Sequence, residues 1–160
     1  QIDGAANINL TGVGGYPQSK ARWSGAVGSA FLYFVVPKVI LFRDVHDPRI
    51  FVEKVDFVSA PGTSPPGVHR PGGPHALVTE LCVFAFDKAK GRFRLASVHP
   101  GVTAEEVRAR TGFDYDEPET VPETKAPDAE TLALIRGEVA EALSGIYPEF
   151  ATRVFGRMAA

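Results

Sequence analysis

The chain has 160 residues, of which 44% are hydrophobic and 22% charged; this composition is ordinary for a globular protein and predicts one domain, residues 1–160. Seventeen basic and nineteen acidic residues give a net charge of −2, which excludes the basic surface of a nucleic-acid-binding or membrane-surface protein. A single cysteine excludes an intrachain disulfide, and neither a membrane span of roughly 20 apolar residues nor a secretory signal is recognisable, so we expect a cytoplasmic protein.

The first 36 residues are punctuated by glycine, which predicts short strands joined by tight loops. Two glycine-rich stretches, residues 12–15 and 25–28, mark these loops. The apolar run at residues 31–36 ends before Pro37 and predicts a short helix or a turn.

Four later stretches are typical of buried β-strands, because they are rich in β-branched and aromatic residues. They span residues 39–42, 51–58, 76–86 and 92–98. Residues 87–91 predict a turn that joins the last two strands into a hairpin. The proline- and glycine-rich residues 61–74 predict a loop.

Two helices are predicted from their N-terminal caps. Thr103 with Glu106 three residues later forms a capping-box pattern, which predicts a helix that runs to about Arg110 and stops at Gly112. Asp128 is placed to cap the second helix. Apolar residues spaced three to four apart predict its buried face, namely Leu132, Ile135, Val139 and Leu143.

Strands that are apolar on both faces, glycine-rich turns and flanking helices are typical of an α/β fold. We therefore predict an open, mixed, mostly parallel sheet flanked by helices. The hairpin at residues 76–98 is the reason for expecting a mixed sheet.

The glycine-rich loops are the first candidates for a binding site. Glycine lets backbone N–H groups approach a ligand closely and point together at an anion or oxyanion. Tight turns between strands are the alternative interpretation of the same glycines. Neither the phosphate-loop pattern nor the dinucleotide-binding glycine pattern occurs in the sequence.

Two titratable residues are candidates for a pocket beside the glycines Gly72 and Gly73. His75 follows these glycines, and Glu80 lies in a predicted apolar strand, where a carboxylate must be paired, solvated or shifted in pKa. A structural role is the alternative interpretation of both. The four histidines and one cysteine lack the spacing of a metal site, so we expect no metal.

Several blocks of sequence follow one another in an order that indicates a family. Residues 51–57 read Phe-Val-Glu-Lys-Val-Asp-Phe and are followed by Pro61-Gly62. Further blocks lie at residues 1–9, 24–29, 72–84 and 99–113. Together they resemble the C-terminal two-thirds of the beta (B) subunits of glutaconate-type coenzyme A transferases, a group that includes related coenzyme A-dependent ring hydrolases of steroid degradation.

The resemblance implies an α/β coenzyme A transferase fold, an alpha subunit as partner in a heterodimer or heterotetramer, and an active site between the two. An acyl-CoA thioester is then the substrate, and no bound cofactor is expected. The resemblance places one loop at the thioester, as the oxyanion and coenzyme A-binding loop: Gly25, Ala26, Val27, Gly28 and Ser29. It places the loop of Gly72, Gly73 and His75 near the same cleft.

In this family a glutamate attacks the acyl-CoA and becomes a glutamyl-CoA thioester. That glutamate precedes the block at residues 1–9, so the resemblance assigns no catalytic residue to this chain. We expect the chain to lack its N-terminal part and to be inactive in isolation. Two alternatives remain open: a coenzyme A-thioester-dependent hydrolase of the same superfamily, and a non-catalytic subunit that stabilises a partner.

Overall fold

A sheet of four strands forms the frame of residues 1–124, which are one of two units into which the chain divides. The computed structural model describes residues 1–26 and 28–156. In chain order the strands are β1 (Gly12–Val13), β2 (Ala21–Arg22), β3 (Val39–Phe42), β4 (Pro74–Val78), β5 (Cys82–Asp87) and β6 (Arg92–Val98). β1 and β2 form a separate antiparallel pair, as expected of short strands joined by tight loops.

The main sheet has the order β3-β4-β5-β6. β3 and β4 run parallel, whereas the pairs β4–β5 and β5–β6 are antiparallel. The predicted α/β fold with an open mixed sheet and flanking helices is confirmed. The predicted strands at residues 39–42 and 92–98 are confirmed with their bounds, and Gly91 N–H donates to the Asp87 carbonyl at 2.8 Å in the predicted turn.

The prediction of one continuous strand over residues 76–86 is wrong. The chain reverses at residues 79–81, so that β4 and β5 are two antiparallel strands. The Thr79 hydroxyl oxygen accepts the N–H groups of Leu81 at 3.1 Å and Cys82 at 3.2 Å, and Thr79 N–H donates to the Cys82 carbonyl at 3.0 Å. A threonine side chain therefore makes the turn, although threonine favours strands by propensity.

The strand predicted at residues 51–58 is also wrong. Only Phe51 forms an isolated bridge, to Ile2, and the residues that follow are irregular. Their backbone partners are dispersed: Val52 N–H donates to the Ile2 carbonyl at 3.0 Å, and Gly112 N–H donates to the Phe51 carbonyl at 2.7 Å. Phe51 and Val55 are buried, so the segment contributes two anchors to the core without joining a sheet.

Two helices pack in this unit. α1 (Ser29–Val35) buries Tyr33, whose hydroxyl donates to the Ala6 carbonyl at 2.9 Å. α2 (Ala104–Arg110) begins as predicted, because Glu106 N–H donates to the Thr103 hydroxyl at 3.2 Å. Val107 of α2 is fully buried in the core.

The core is dominated by aromatic side chains from the sheet and from the segments that cover it. Phe84 of β5 lies at its centre, with ring centroids 4.9 Å from Tyr115 and 5.8 Å from Phe113. Phe93 of β6 stacks on Phe113 at 5.5 Å. Such ring pairs add stabilisation beyond their buried area.

Residues 125–160 form the second unit, described to residue 156. It contains α3 (Ala129–Leu134), a π-helical turn (Ile135–Val139), α4 (Ala140–Ile146) and α5 (Pro148–Phe155). The predicted cap is confirmed, since Thr131 N–H donates to the Asp128 carboxylate at 2.8 Å. No helix of the described chain has the length and apolar character needed to cross a bilayer. One domain over residues 1–160 stays a prediction.

The predicted apolar face of this second unit is wrong at one position. Leu132, Ile135 and Leu143 are half-buried, but Val139 is exposed and Ala140 is buried in its place. The π-helical turn adds one residue per turn and shifts the faces that follow it. A spacing rule for an uninterrupted α-helix therefore fails at Val139, inside the π-helical turn.

Candidate functional site

The glycine loop ahead of α1 is exposed and is shaped by two left-handed residues. Gly25 has φ +96° and Gly28 has φ +74°, a conformation that only glycine adopts readily. Ser29 fixes the loop at its other end, because its N–H and its hydroxyl both donate to the Ala26 carbonyl, at 2.8 and 2.7 Å. A methyl group added at Gly25 or Gly28 would meet no atom within 4 Å, so these glycines face open space.

Three backbone N–H groups of this loop lack a hydrogen-bond acceptor in the described part of the chain. Among the residues that the structure describes, no acceptor bonds to the N–H groups of Gly25, Ala26 or Gly28. Gly28 precedes α1 without a side-chain cap. Val27, which the sequence also predicts in this loop, lies outside the described residues.

Gly72 and Gly73 have a different role, because their N–H groups are used inside the protein. Gly72 N–H donates to the Phe34 carbonyl at 2.9 Å, and Gly73 N–H donates to the Val36 carbonyl at 3.0 Å. Both glycines are buried. They hold the loop of residues 61–73 against the last turn of α1.

Arg70 joins three segments at this point. Its guanidinium donates to the carbonyl oxygens of Gly72 at 3.1 Å, Pro61 at 2.8 Å and Tyr33 at 2.8 Å. The same group lies over the rings of Tyr33 and Phe34, at 5.3 and 5.6 Å from their centroids. The sequence analysis does not identify Arg70. The signal that could have identified it is a single arginine inside a proline- and glycine-rich loop.

A cavity of about 250 Å³ opens beside Arg70. Its lining combines two cations, two hydroxyls and a few apolar or glycine positions, namely Gly62, Thr63, Ser64, Val68, Arg70, Gly72, Pro74, Phe86 and Lys88. Lys88 reaches it from the turn between β5 and β6, where its ammonium donates to the Pro37 carbonyl at 3.3 Å. Of the predicted pocket residues, the structure places Gly72 in this lining.

His75 and Glu80 lie near opposite ends of β4. His75 is an exposed residue near the start of the strand. Glu80 lies in the turn after the strand, not inside a strand as predicted. Its carboxylate accepts His46 N–H at 3.0 Å and pairs with Arg110 at 3.1 Å, so the structure shows a paired acid. A pocket role for His75 and Glu80 stays a prediction.

We expect the substitution Glu80→Gln to destabilise the protein by less than about 1 kcal/mol, because exposed ion pairs contribute little and the amide oxygen still accepts His46 N–H. The rate of the acyl-CoA reaction that the resemblance implies should be unchanged. Urea unfolding and a steady-state assay of the same preparation check both statements. A fall in rate of a hundredfold or more at unchanged stability would instead indicate catalysis by the acid.

His46 is a fully buried polar residue that the sequence does not distinguish from the other histidines. Thr111 donates its hydroxyl to the Val107 carbonyl at 2.7 Å and therefore accepts from His46 Nε2–H at 2.9 Å. On the other side of the ring, the Thr79 hydroxyl donates to Nδ1 at 2.9 Å. Burial lowers the pKa of His46 to about 4, so the ring is neutral near pH 7.

Cys82 and His99 have structural roles. Cys82 is fully buried, and burial raises its pKa to about 12, which makes the thiol unreactive. His99 Nε2 donates to the Thr79 carbonyl at 2.9 Å. In residues 1–26 and 28–156, no three His, Cys, Asp or Glu side chains are arranged to hold a metal ion.

Residues 1–110 match the protein family described as Coenzyme A transferase. The chain is 35% identical over 146 residues to the B subunit of glutaconate CoA-transferase from Acidaminococcus fermentans. It is 36% identical over 143 residues to the B subunit of 3-oxoadipate CoA-transferase from Pseudomonas knackmussii. These alignments cover 87% and 85% of this chain and 54% of each relative. The chain therefore spans about half the length of the curated relatives it matches.

Solved structures agree with these similarities. The crystal structure of the Acidaminococcus fermentans glutaconate coenzyme A-transferase superposes with a TM-score of 0.73 at 34% identity, over 86% of this chain and 55% of that chain. The Rhodococcus jostii IpdAB structure superposes with a TM-score of 0.78 at 33% identity, over 86% and 56%. The IpdB subunit of Rhodococcus jostii, described as a cholesterol ring-cleaving hydrolase, is 32% identical over 140 residues, which are 85% of this chain and 55% of that protein.

Proposed function

Because the chain belongs to the coenzyme A transferase family, we propose that it acts as the B-type subunit of an enzyme that transfers coenzyme A from an acyl-CoA thioester to a free carboxylate. The observation that carries this proposal is the identity of 35% and 36% to the B subunits of two transferases. The same identities confirm the resemblance to beta subunits of the glutaconate type. The substrate class, a coenzyme A thioester, fits a cytoplasmic location, which is part of the proposal.

The loop of residues 25–29 is the proposed donor of hydrogen bonds at the thioester. When a nucleophile attacks a thioester, negative charge develops on the former carbonyl oxygen, and fixed N–H donors stabilise it. Support comes from the exposed position of the loop and from the N–H groups of Gly25, Ala26 and Gly28, which have no acceptor among the described residues. The Ser29 bonds to the Ala26 carbonyl hold the loop in place, which lowers the cost of reorganisation.

We assign no carboxylate of the described chain as the nucleophile. Asp56 accepts Gly14 N–H at 2.7 Å, and Glu80 is paired with Arg110, so both have structural partners. The resemblance places its glutamate ahead of the block at residues 1–9, so neither acid is the counterpart of that glutamate. What the chain contributes to the reaction, in this proposal, is binding and oxyanion stabilisation.

A partner subunit of the alpha (A) type is part of the proposal. Large apolar side chains on α1 and β3 are exposed, with relative exposures of 68% for Phe31, 61% for Ile40 and 67% for Phe42. β3 is an edge strand of the sheet, since it pairs with β4 alone in the described chain. Exposed apolar groups of this kind are typical of surfaces that another chain covers.

The test is an assay of coenzyme A exchange with the full-length protein that carries this sequence and its co-purified partner. Incubation with an acyl-CoA and an excess of a second carboxylic acid is expected to give the second acyl-CoA with no net loss of thioester. Chromatography of both thioesters measures the exchange. The double substitution Gly25→Ala with Gly28→Ala opposes the left-handed conformation of both residues. It should lower kcat and change KM by a smaller factor.

A second candidate, a coenzyme A-thioester-dependent hydrolase, is favoured by one observation. The hydrolase relative IpdAB superposes with a TM-score of 0.78, against 0.73 for the glutaconate transferase. With a cyclic acyl-CoA as substrate, opening of the ring by water while the thioester stays intact, without exchange even with acceptor acid in excess, would reject the transferase and support the hydrolase. Absence of both reactions in an intact complex would support a non-catalytic, partner-stabilising subunit.

A further inference from the structure

The cavity beside Arg70 and Lys88 carries uncompensated positive charge. Among the described residues, no Asp or Glu belongs to its lining. In the described part of the chain neither cation forms an ion pair with a carboxylate. The adjacent Asp87 is engaged elsewhere, because its carboxylate accepts the N–H groups of Ala89 at 2.9 Å and Lys90 at 3.0 Å. Two cations facing one cavity favour an anionic ligand.

Arg70 is already oriented for such a ligand. A guanidinium has five N–H donors in a rigid plane, and the three carbonyl oxygens that Arg70 contacts leave further donors for a ligand. Because these contacts fix the side chain, little conformational entropy remains to be lost on binding. Lys88 uses one donor for the Pro37 carbonyl, and its ammonium has three.

The size and polarity of the cavity fit a small tetrahedral anion. Its 250 Å³ correspond to about eight water molecules in the liquid, which is less than the volume of a typical site for a whole drug-sized ligand. Thr63 and Ser64 add hydroxyl groups to the lining, and hydroxyls donate hydrogen bonds to phosphate oxygens. The cavity is therefore suited to one charged group of a larger molecule.

We propose that this cavity binds a phosphate group of coenzyme A through Arg70 and Lys88, and so anchors the nucleotide end of the acyl-CoA substrate. The proposal rests on the proposed function, since coenzyme A carries its phosphates at the end remote from the thioester. The glycine loop lies at the start of α1, and Gly72 contacts its last turn, so the seven-residue helix separates the two places by about 10 Å. The long pantetheine arm of coenzyme A links its thioester to its phosphates across such a separation.

The test compares two substitutions in one turn, Lys88→Gln and Lys90→Gln, in the full-length protein with its partner. Both remove one exposed lysine charge, but Lys90 pairs with Asp116 at 2.7 Å and does not line the cavity. Calorimetric titration with coenzyme A is expected to give about tenfold weaker binding for Lys88→Gln and less than twofold for Lys90→Gln. Binding of pantetheine, which lacks the phosphates, should be equal in both variants and the wild type.

Two further ligands identify the group that binds. If the 3′-phosphate occupies the cavity, dephospho-coenzyme A binds equally to Lys88→Gln and the wild type. If the diphosphate occupies it, Lys88→Gln also binds dephospho-coenzyme A more weakly than the wild type does. Either result supports the proposal. Equal losses in both lysine variants would overturn it. Inorganic phosphate that binds with Lys88 dependence but does not compete with coenzyme A would also overturn it.

The proposed function is tested separately by the same titrations. If the wild type exchanges coenzyme A between acids and Lys88→Gln binds coenzyme A with normal affinity, the proposed phosphate site is rejected and the proposed function is retained. Wild-type protein that binds no coenzyme A rejects both.

Discussion

The substitution Gly72→Ala is expected to destabilise the protein by about 3 kcal/mol, because the added methyl group would lie 2.2 Å from the Val36 carbonyl oxygen and 2.7 Å from that of Phe34. Both are backbone atoms and have no rotamer that relieves the contact. The loop must therefore move away from α1 and lose the Gly72 N–H bond to Phe34. Urea unfolding of the purified protein measures the change.

The same displacement should reach the candidate site. Arg70 donates to the Gly72 carbonyl at 3.1 Å, so a shift of Gly72 moves the guanidinium that lines the cavity. We therefore expect Gly72→Ala to weaken coenzyme A binding as well as folding. Measured at a temperature where the variant is folded, its affinity should fall at least as far as that of Lys88→Gln.

Gly15→Ala is the matched control. Gly15 lies in a loop of the same unit, no atom lies within 4 Å of the methyl group, and its φ is outside the left-handed region. Its free energy of unfolding should stay within about 0.5 kcal/mol of the wild type. Equal stability of the two alanine variants would contradict the close approach of Gly72 to α1.

The glycine-rich loops show what the sequence alone can predict about the candidate site. The sequence predicts both glycine-rich loops as candidate ligand sites for one reason, the accessibility of backbone N–H groups. In the structure the N–H groups of Gly25, Ala26 and Gly28 have no acceptor among the described residues, whereas Gly72 lies where two backbone segments meet. The role of such a glycine depends on a partner 36 or more residues away in sequence. No local sequence pattern therefore distinguishes the two roles.

The two predicted helix caps, which depend on neighbouring residues alone, are confirmed. Thr103 and Asp128 cap their helices because each cap needs only an N–H group three residues later. The strand predicted at residues 51–58 fails because its backbone bonds go to Ile2 and Gly112, which are remote in sequence. The continuous strand predicted across Thr79 fails for a different reason, since the threonine side chain makes a turn that strand propensity opposes.

His46 belongs to the same class of non-local features. It accepts from Thr79 and donates to Thr111, which follow it by 33 and 65 residues. Its ring also packs 4.5 Å from that of Phe51. The segment around His46 is short and irregular, so no periodicity marks the residue as buried, and its role is visible only when the three segments are together.

When the pH is lowered from 7 to 4, we expect protonation of His46 to lower the free energy of unfolding by about 3 kcal/mol. The native state keeps the ring neutral, since burial lowers its pKa to about 4, whereas the unfolded chain binds a proton near pH 6.5. Between these values the unfolded state holds more protons than the native state. The contribution is therefore complete above pH 6.5 and is lost as the pH falls through this window.

The substitution His46→Gln isolates this contribution. At pH 7 it should cost about 1–3 kcal/mol, because the amide does not reproduce both hydrogen bonds of the ring with the hydroxyls of Thr79 and Thr111. At pH 4 the difference from the wild type should be smaller by about 3 kcal/mol, and can reverse in sign, since glutamine binds no proton. All other titrating groups are shared by the two proteins and cancel in this difference.

His75→Gln provides the control, because it removes an exposed histidine from β4 in the same unit. Its difference in stability from the wild type should be below about 0.5 kcal/mol at pH 7. Urea unfolding of wild type and His46→Gln at half-unit steps of pH gives the complete comparison. If the His46→Gln difference were constant with pH, the native ring would accept a proton as readily as the unfolded chain, and the buried chain of hydrogen bonds would not hold it neutral.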